Sequence, residues 1–165
     1  GVLRRIRATP LSPSSFVTSV LAAHIAVAVA QVEILMLLAQ MLGANVFRGG
    51  IWFPLTAVVG TVIFLNIGIM VAGRVRGRGA VEGAANAITL PMMFLSGSFF
   101  PVESLPVAVQ KFVEVLPLTH VLRVMRGVTL DGDTITEQWP SLVVILGWLV
   151  LSTILARVAF RFDDA

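Results

Sequence analysis

This chain of 165 residues contains no cysteine. Disulfides, cysteine-based zinc sites and thiol catalysis are therefore excluded, while the redox compartment is left open. Charge is scarce too. Only 13% of the residues are Asp, Glu, Lys or Arg, against about 25% in a typical soluble domain. The sequence has no HExxH pair, no GxSxG elbow and no second histidine at metal-ligand spacing. His24, His120 and the scattered carboxylates thus compose no recognisable hydrolytic or metal signature. The stretch from Gly73 to Gly79 is rich in glycine and arginine but lacks the Lys-Ser/Thr of a phosphate-binding loop. Without that lysine and hydroxyl to hold phosphates and Mg, any nucleotide energy would have to come from another subunit.

What the chain does have is apolar surface: 57% of its residues are hydrophobic, with a mean hydropathy of +0.94. A soluble chain this short could not hide that surface in one core, so lipid has to serve as the solvent. The net charge of +3 does not point to nucleic acid. The basic residues stand in short clusters between apolar runs, as the positive-inside rule requires, and no basic patch interleaved with aromatics is present.

Four runs reach the roughly 20 residues needed to cross a bilayer: Phe16 to Leu42, Trp52 to Ala72, Val81 to Phe100 and Trp139 to Phe160. In hydrocarbon every backbone N–H and C=O must be paired within its segment, which demands helices or a closed barrel. These runs are continuously apolar rather than alternating, so helices are expected. Ser12, Pro13, Ser14 and Ser15 precede the first run as capping hydroxyls and an early proline. Pro91, inside the third, removes one helical hydrogen bond and should kink or interrupt it. Ala22, Ala26 and Ala30 form a small-residue stripe suited to close helix packing. The chain begins with Gly1 rather than Met, and its first apolar run is far too long for a signal-peptide core. It reads as a permanent span, and the missing Met as the mark of a fragment.

Arginine sets the orientation. Arg4, Arg5 and Arg7 precede the first span, Arg74, Arg76 and Arg78 separate the second from the third, and Arg157 and Arg161 close the fourth. With four spans these places share one side, predicted to be cytoplasmic. The 101–138 connection is too long to be structureless. Ser104 can cap a helix with Leu105, Val109, Phe112, Val113 and Leu116 at helical spacing, which Pro117 breaks. A second helix then runs to about Val128, and Gly132 between two aspartates marks a turn. Both helices are too short to span and belong at the outer interface or re-enter the membrane. The fold class is an all-α integral membrane protein: a single transmembrane domain with four spans and short amphipathic or re-entrant helices at about 104–128.

Polar residues inside the spans are the candidate site. His24 and Gln31 fall within about 20° of each other on the first span, and Glu33 and Gln40 pair likewise on the opposite face. Glu82, Asn86 and Thr89 form a stripe on the third. An ionisable group in lipid costs roughly 2.5–3.5 kcal/mol on insertion scales, so each should face protein or water. They either line a substrate path or hydrogen-bond to neighbouring helices. Packing is the preferred reading.

Two stretches carry a family resemblance. One is Leu-Arg-Arg-Ile-Arg-Ala-Thr-Pro-Leu-Ser-Pro, Leu3 to Pro13. The other is Leu-Pro-Met-Met-Phe-Leu-Ser-Gly-Ser-Phe-Phe-Pro-Val-Glu-Ser-Leu-Pro, Leu90 to Pro106, continuing through Leu-Pro-Leu-Thr-His, Leu116 to His120, and Arg126-Gly127. Together they resemble the permease subunits of type-2 ABC exporters, nearest in flavour to daunorubicin-resistance and nodulation-lipooligosaccharide export permeases. The resemblance implies six spans, so that those seen here would be the third to sixth and Gly1 would fall inside the first cytoplasmic loop. It implies an ATPase-coupling segment carrying Arg4, Arg5, Arg7, Pro10, Leu11 and Pro13. It implies a re-entrant outer-loop motif carrying Gly97, Phe100, Pro101, Pro106, Pro117, His120 and Arg126. No cofactor would be bound by this chain, with ATP and Mg held by a separate ABC ATPase subunit. The further partners would be a second permease subunit, identical or not, and the lipid bilayer. The function implied is export of a drug, lipid or glycan across the cytoplasmic membrane. A non-transporting membrane scaffold or assembly factor is the alternative, and a membrane enzyme a distant third.

Overall fold

The computed structural model describes residues 13–75 and 77–159, and among them every regular element is helical. Six α-helices follow one another: α1 (Pro13–Met41), α2 (Trp52–Ala72), α3 (Arg78–Leu95), α4 (Val107–Val113), α5 (Pro117–Arg126) and α6 (Trp139–Ala159). Short 3-10 turns occupy Val46–Gly49 and Val102–Ser104, and a π-helical turn occupies Gly127–Asp131. Among the described residues three helices are long and apolar enough to cross a membrane: Ser19–Met41, Trp52–Ala72 and Trp139–Val158. They coincide with the first, second and fourth expected runs. Pro13, Ser14 and Ser15 lie inside α1 rather than before it; a proline is tolerated in a first turn, where its missing N–H has no helical acceptor anyway.

The third run differs. Its helix has 18 residues, stops at Leu95 rather than Phe100, and is not among those three. Glu82, Asn86 and Thr89 dilute its apolar character. The stop is local: Gly97 takes φ +84°, a left-handed conformation that ends helices and that glycine adopts without a Cβ penalty. Pro91 does not interrupt α3, which continues through it.

α2 is the hub, packing against α1, α5 and α6. Ile63 of α2, Val121 and Val124 of α5, Val128 of the π turn and Ile145 of α6 form the main buried cluster. Between helices in lipid, close van der Waals contact replaces the hydrophobic drive. Gly60 provides it, since a Cβ there would lie 3.2 Å from Val121 Cγ1. Asn66 adds a polar tie, donating from Nδ2 to Thr153 Oγ1 at 3.0 Å and Ser152 Oγ at 3.4 Å. On α1 the packed positions are Leu21, Ile25, Val32, Met36 and Ala39. Ala22, Ala26 and Ala30 are exposed, so the expected small-residue stripe is not the face used within this chain.

The α4–α5 hairpin sits at mid-height of the long helices. Trp148 Nε1 donates to the Val115 carbonyl at 2.8 Å. Trp148 is nine residues into α6, about 14 Å from its start at 1.5 Å per residue. Ser104 does not cap α4; its hydroxyl returns to the Pro101 carbonyl at 2.7 Å, and Pro106 occupies the cap. The i+3 reach of a serine hydroxyl to its own turn competes with capping. Of the expected apolar face, Val113 and Leu116 are buried while Phe112 points out. Pro117 ends the first helix and opens the second at its first turn. α5 gives way at Gly127 to the π turn, and Gly132 takes φ +80°.

Candidate functional site

The α1–α2 loop and the long α3–α6 loop meet at one end of the bundle. A Cβ on Gly49 would lie 3.0 Å from the side chains of both Val128 and Thr129, and one on Gly132 would lie 2.9 Å from Arg48 Cζ. At that end the motif residues gather. Arg126 Nη2 donates to the Gly97 carbonyl at 2.6 Å, tying the turn after α3 to the end of α5 across 29 positions. Arg123 grips Glu114 with both ends of its fork, at 3.0 and 2.6 Å. His120 is buried; its Nε2 lies 2.8 Å from the Glu114 carbonyl oxygen and 4.0 Å from Glu114 Oε2. Facing a carbonyl, Nε2 carries the proton, and Nδ1 is buried without a partner. Pro117 is buried beneath this knot, whereas Phe100, Pro101 and Pro106 are exposed on the loop.

The entrance to α6 is built by Thr134 and Glu137. The Thr134 N–H donates to Glu137 Oε2 at 2.6 Å and its hydroxyl donates to the same oxygen at 2.9 Å. The backbone N–H first, then the hydroxyl, hold the Glu137 carboxyl below its usual range. A carboxyl with a depressed folded pKa contributes stability above its unfolded value near 4.5 and loses it as pH falls through the folded pKa. Hydrogen-exchange protection of the Thr134 amide should therefore be flat above that value and decline in more acidic solution. In Glu137→Gln the decline should vanish; a decline that persists would assign it to another group.

The polar residues of the long helices lie elsewhere. His24 is exposed, its Nδ1 2.8 Å from the Val20 carbonyl. It edges an open, apolar groove of about 690 Å³ between α1, α2 and α5, where Gly60, Phe64, Gly68 and Val121 form the floor. Gln31, Glu33 and Gln40 on α1, and Glu82, Asn86 and Thr89 on α3, are exposed on the surface of the chain. The structure thus does not bring His24, Gln31, Glu33, Glu82 and Asn86 into one cluster. Arg4, Arg5, Arg7, Pro10 and Leu11 lie outside the described residues, and Pro13 opens α1. Among the described residues no group of three His, Asp or Glu could hold a metal ion. Two polar features escaped the sequence. The Asn66–Ser152–Thr153 tie joins residues 86 and 87 positions apart, with no spacing signal. The Glu114–Arg123 fork spans two helices and a proline break; only opposite charges on consecutive short helices hinted at it.

Comparison with known proteins bears on the whole chain. The chain is 27% identical over 168 residues to ABC transporter G family member 20 of Dictyostelium discoideum, covering 99% of this chain and 23% of that protein. It is 29% identical over 108 residues to Nodulation protein J of Rhizobium leguminosarum bv. viciae, covering 66% of this chain and 41% of that one. It is 35% identical over 72 residues to the capsule polysaccharide export inner-membrane protein CtrC of Neisseria meningitidis serogroup B, covering 44% and 27% respectively. The chain thus spans less than half the length of each of these relatives. No solved structure matches. The sequence profile described as ABC-2 type transporter matches residues 1–130, across the first three long helices and the hairpin, and the chain belongs to that family of membrane transporter subunits.

Proposed function

We propose that this chain is part of the permease of an ATP-driven exporter, moving a lipid, glycan or drug outward through a path it shares with a second permease subunit. A separate ATPase subunit supplies the energy, and both ends of the chain face the cytoplasm. The observation that carries this reading is the exposure of Gln31 and Glu33 on a helix otherwise suited to lipid, joined by Glu82 and Asn86 on the more polar α3. Polar groups at membrane depth are costly against hydrocarbon, so such residues face protein or water. A partner subunit and a hydrated path between the two supply both. The arginines at Arg74 and Arg157 stand at the end opposite Arg48 and Gly132, as the positive-inside rule asks of a cytoplasmic face. α3 completes the membrane domain as a fourth, more polar crossing. The α4–α5 hairpin is a re-entrant plug between α3 and α6. Export of a glycan or glycolipid is favoured among the cargoes, because a relative is named for capsule polysaccharide export.

The deciding experiment purifies the full-length protein from its own membrane. An ATPase with a phosphate-binding loop should accompany it, and the reconstituted pair should hydrolyse ATP faster when cargo is present. A scaffold would bring down no such ATPase, and cargo-independent turnover would sink the export reading. Within that assay Glu33→Gln is expected to lower cargo-stimulated turnover by at least about threefold, because it replaces the carboxyl that would organise water along the path. Unchanged turnover with unchanged thermal stability would return Glu33 to a packing role.

A further inference from the structure

The loop between α3 and α6 lines a half-open cavity of about 500 Å³, separate from the apolar groove beside His24. Its wall mixes charges of both signs. Glu103, Asp131 and Asp133 bring carboxylates, and Arg123 and Arg126 bring guanidiniums. Much of this charge is already engaged: Arg123 by Glu114, Arg126 by the Gly97 carbonyl, and Asp133 by the Gln138 amide, which donates to it at 2.6 Å. An anion entering here meets three carboxylates, and a cation meets two guanidiniums. A neutral ligand rich in hydroxyl groups meets neither penalty, because each hydroxyl both donates and accepts.

A further observation points the same way. Phe99 and Phe100 line the cavity and are exposed, with Phe99 held against Phe94 at a centroid distance of 4.9 Å. Exposed ring faces beside convergent polar groups suit the C–H face of a sugar ring.

We propose that this cavity holds a neutral saccharide unit, with Asp131 and Arg126 receiving its hydroxyls and Phe99 and Phe100 flanking its ring. The unit belongs either to a free oligosaccharide or to the head group of a glycolipid. The site deepens the export reading and rests on it only for the direction of travel, since binding is measured without nucleotide.

The test uses the full-length protein with its ATPase in nanodiscs, read by hydrogen–deuterium exchange. Maltotetraose is one probe, a diglucosyl lipid in the nanodisc the second, and tetragalacturonate the anionic control. Maltotetraose should slow exchange at residues 97–103 and 131–138, assigning a free sugar; slowing by the glycolipid alone assigns a head group. Phe100→Ala and Asp131→Asn should each raise the half-saturating concentration by at least about fivefold. Both side chains are exposed, so neither variant should lower thermal stability appreciably. No slowing by either sugar at millimolar levels overturns the proposal. So does slowing by tetragalacturonate alone, or an unchanged midpoint in both variants. Cargo-independent ATP turnover with this protection intact defeats the export reading and spares the site. Cargo-stimulated turnover without protection does the reverse.

Discussion

Leucine in place of Gly60 should drive α5 away from α2 and collapse the hairpin's seat. A Cβ alone at this position would stand 3.2 Å from Val121 Cγ1, already tighter than an ordinary carbon–carbon contact near 3.5–4.0 Å. Leucine adds three more carbons into the cluster of Ile63, Val121, Val124, Val128 and Ile145. Overpacking of this kind costs roughly 1–3 kcal/mol, and in lipid the separated helices recover no compensating hydrophobic drive. The thermal midpoint in nanodiscs should fall by several degrees. Trp148, whose indole N–H is held by the Val115 carbonyl, should report the loss as a shift in emission. Gly60→Ala should show the same changes at smaller size. A Gly60→Leu protein with wild-type midpoint and emission would mean that α5 does not rest on α2 at this height.

The second large effect belongs to Arg126→Ala. The buried Gly97 carbonyl accepts from this guanidinium at 2.6 Å. A hydrogen bond to a charged group contributes about 1.5–3 kcal/mol, and its removal leaves the carbonyl unpaired. The damage is local, because the tie joins the turn after α3 to the end of α5 and touches no long helix. Amide exchange at residues 96–104 should accelerate about ten- to hundredfold, with α2 and α6 unaffected. Arg126→Lys should recover only part of the protection, since an ammonium is a point donor without the planar fork. Exchange unchanged in Arg126→Ala would show the turn to be held by Gly97 and the Ser96 hydroxyl alone.

Which features could be read in advance follows from the range of the forces that make them. α1, α2 and α6 were legible because an apolar run of about 20 residues has one stable form in hydrocarbon. Their observed bounds depart from the expected ones by a few residues at α1 and scarcely at all at α2. α3 was legible as a helix but not in length, because its end depends on a positive φ at Gly97 that a Leu-Ser-Gly-Ser string only allows. Two short helices around Pro117 were expected and are present; the role given to Ser104 was not, since its hydroxyl found a nearer acceptor. Among site residues, Gly97 and Arg126 were named together through a resemblance of motifs, and the structure joins them by a hydrogen bond. Glu33 and Asn86 were read as polar positions within spans, but no sequence rule said that both would stand on the outside of the chain.

By itself, then, the sequence determined that this is a helical membrane protein with a broken, proline-marked loop before its last long helix. Those properties come from composition and from contacts within a few residues, and lipid admits few alternatives. Only the tertiary structure decided that α2 is the hub, that the hairpin is seated beside Gly60 and Trp148, and that Arg48, Gly97, Arg123 and Arg126 converge on one end. Such contacts join residues tens of positions apart through shape and a few hydrogen bonds, and local spacing carries no trace of them.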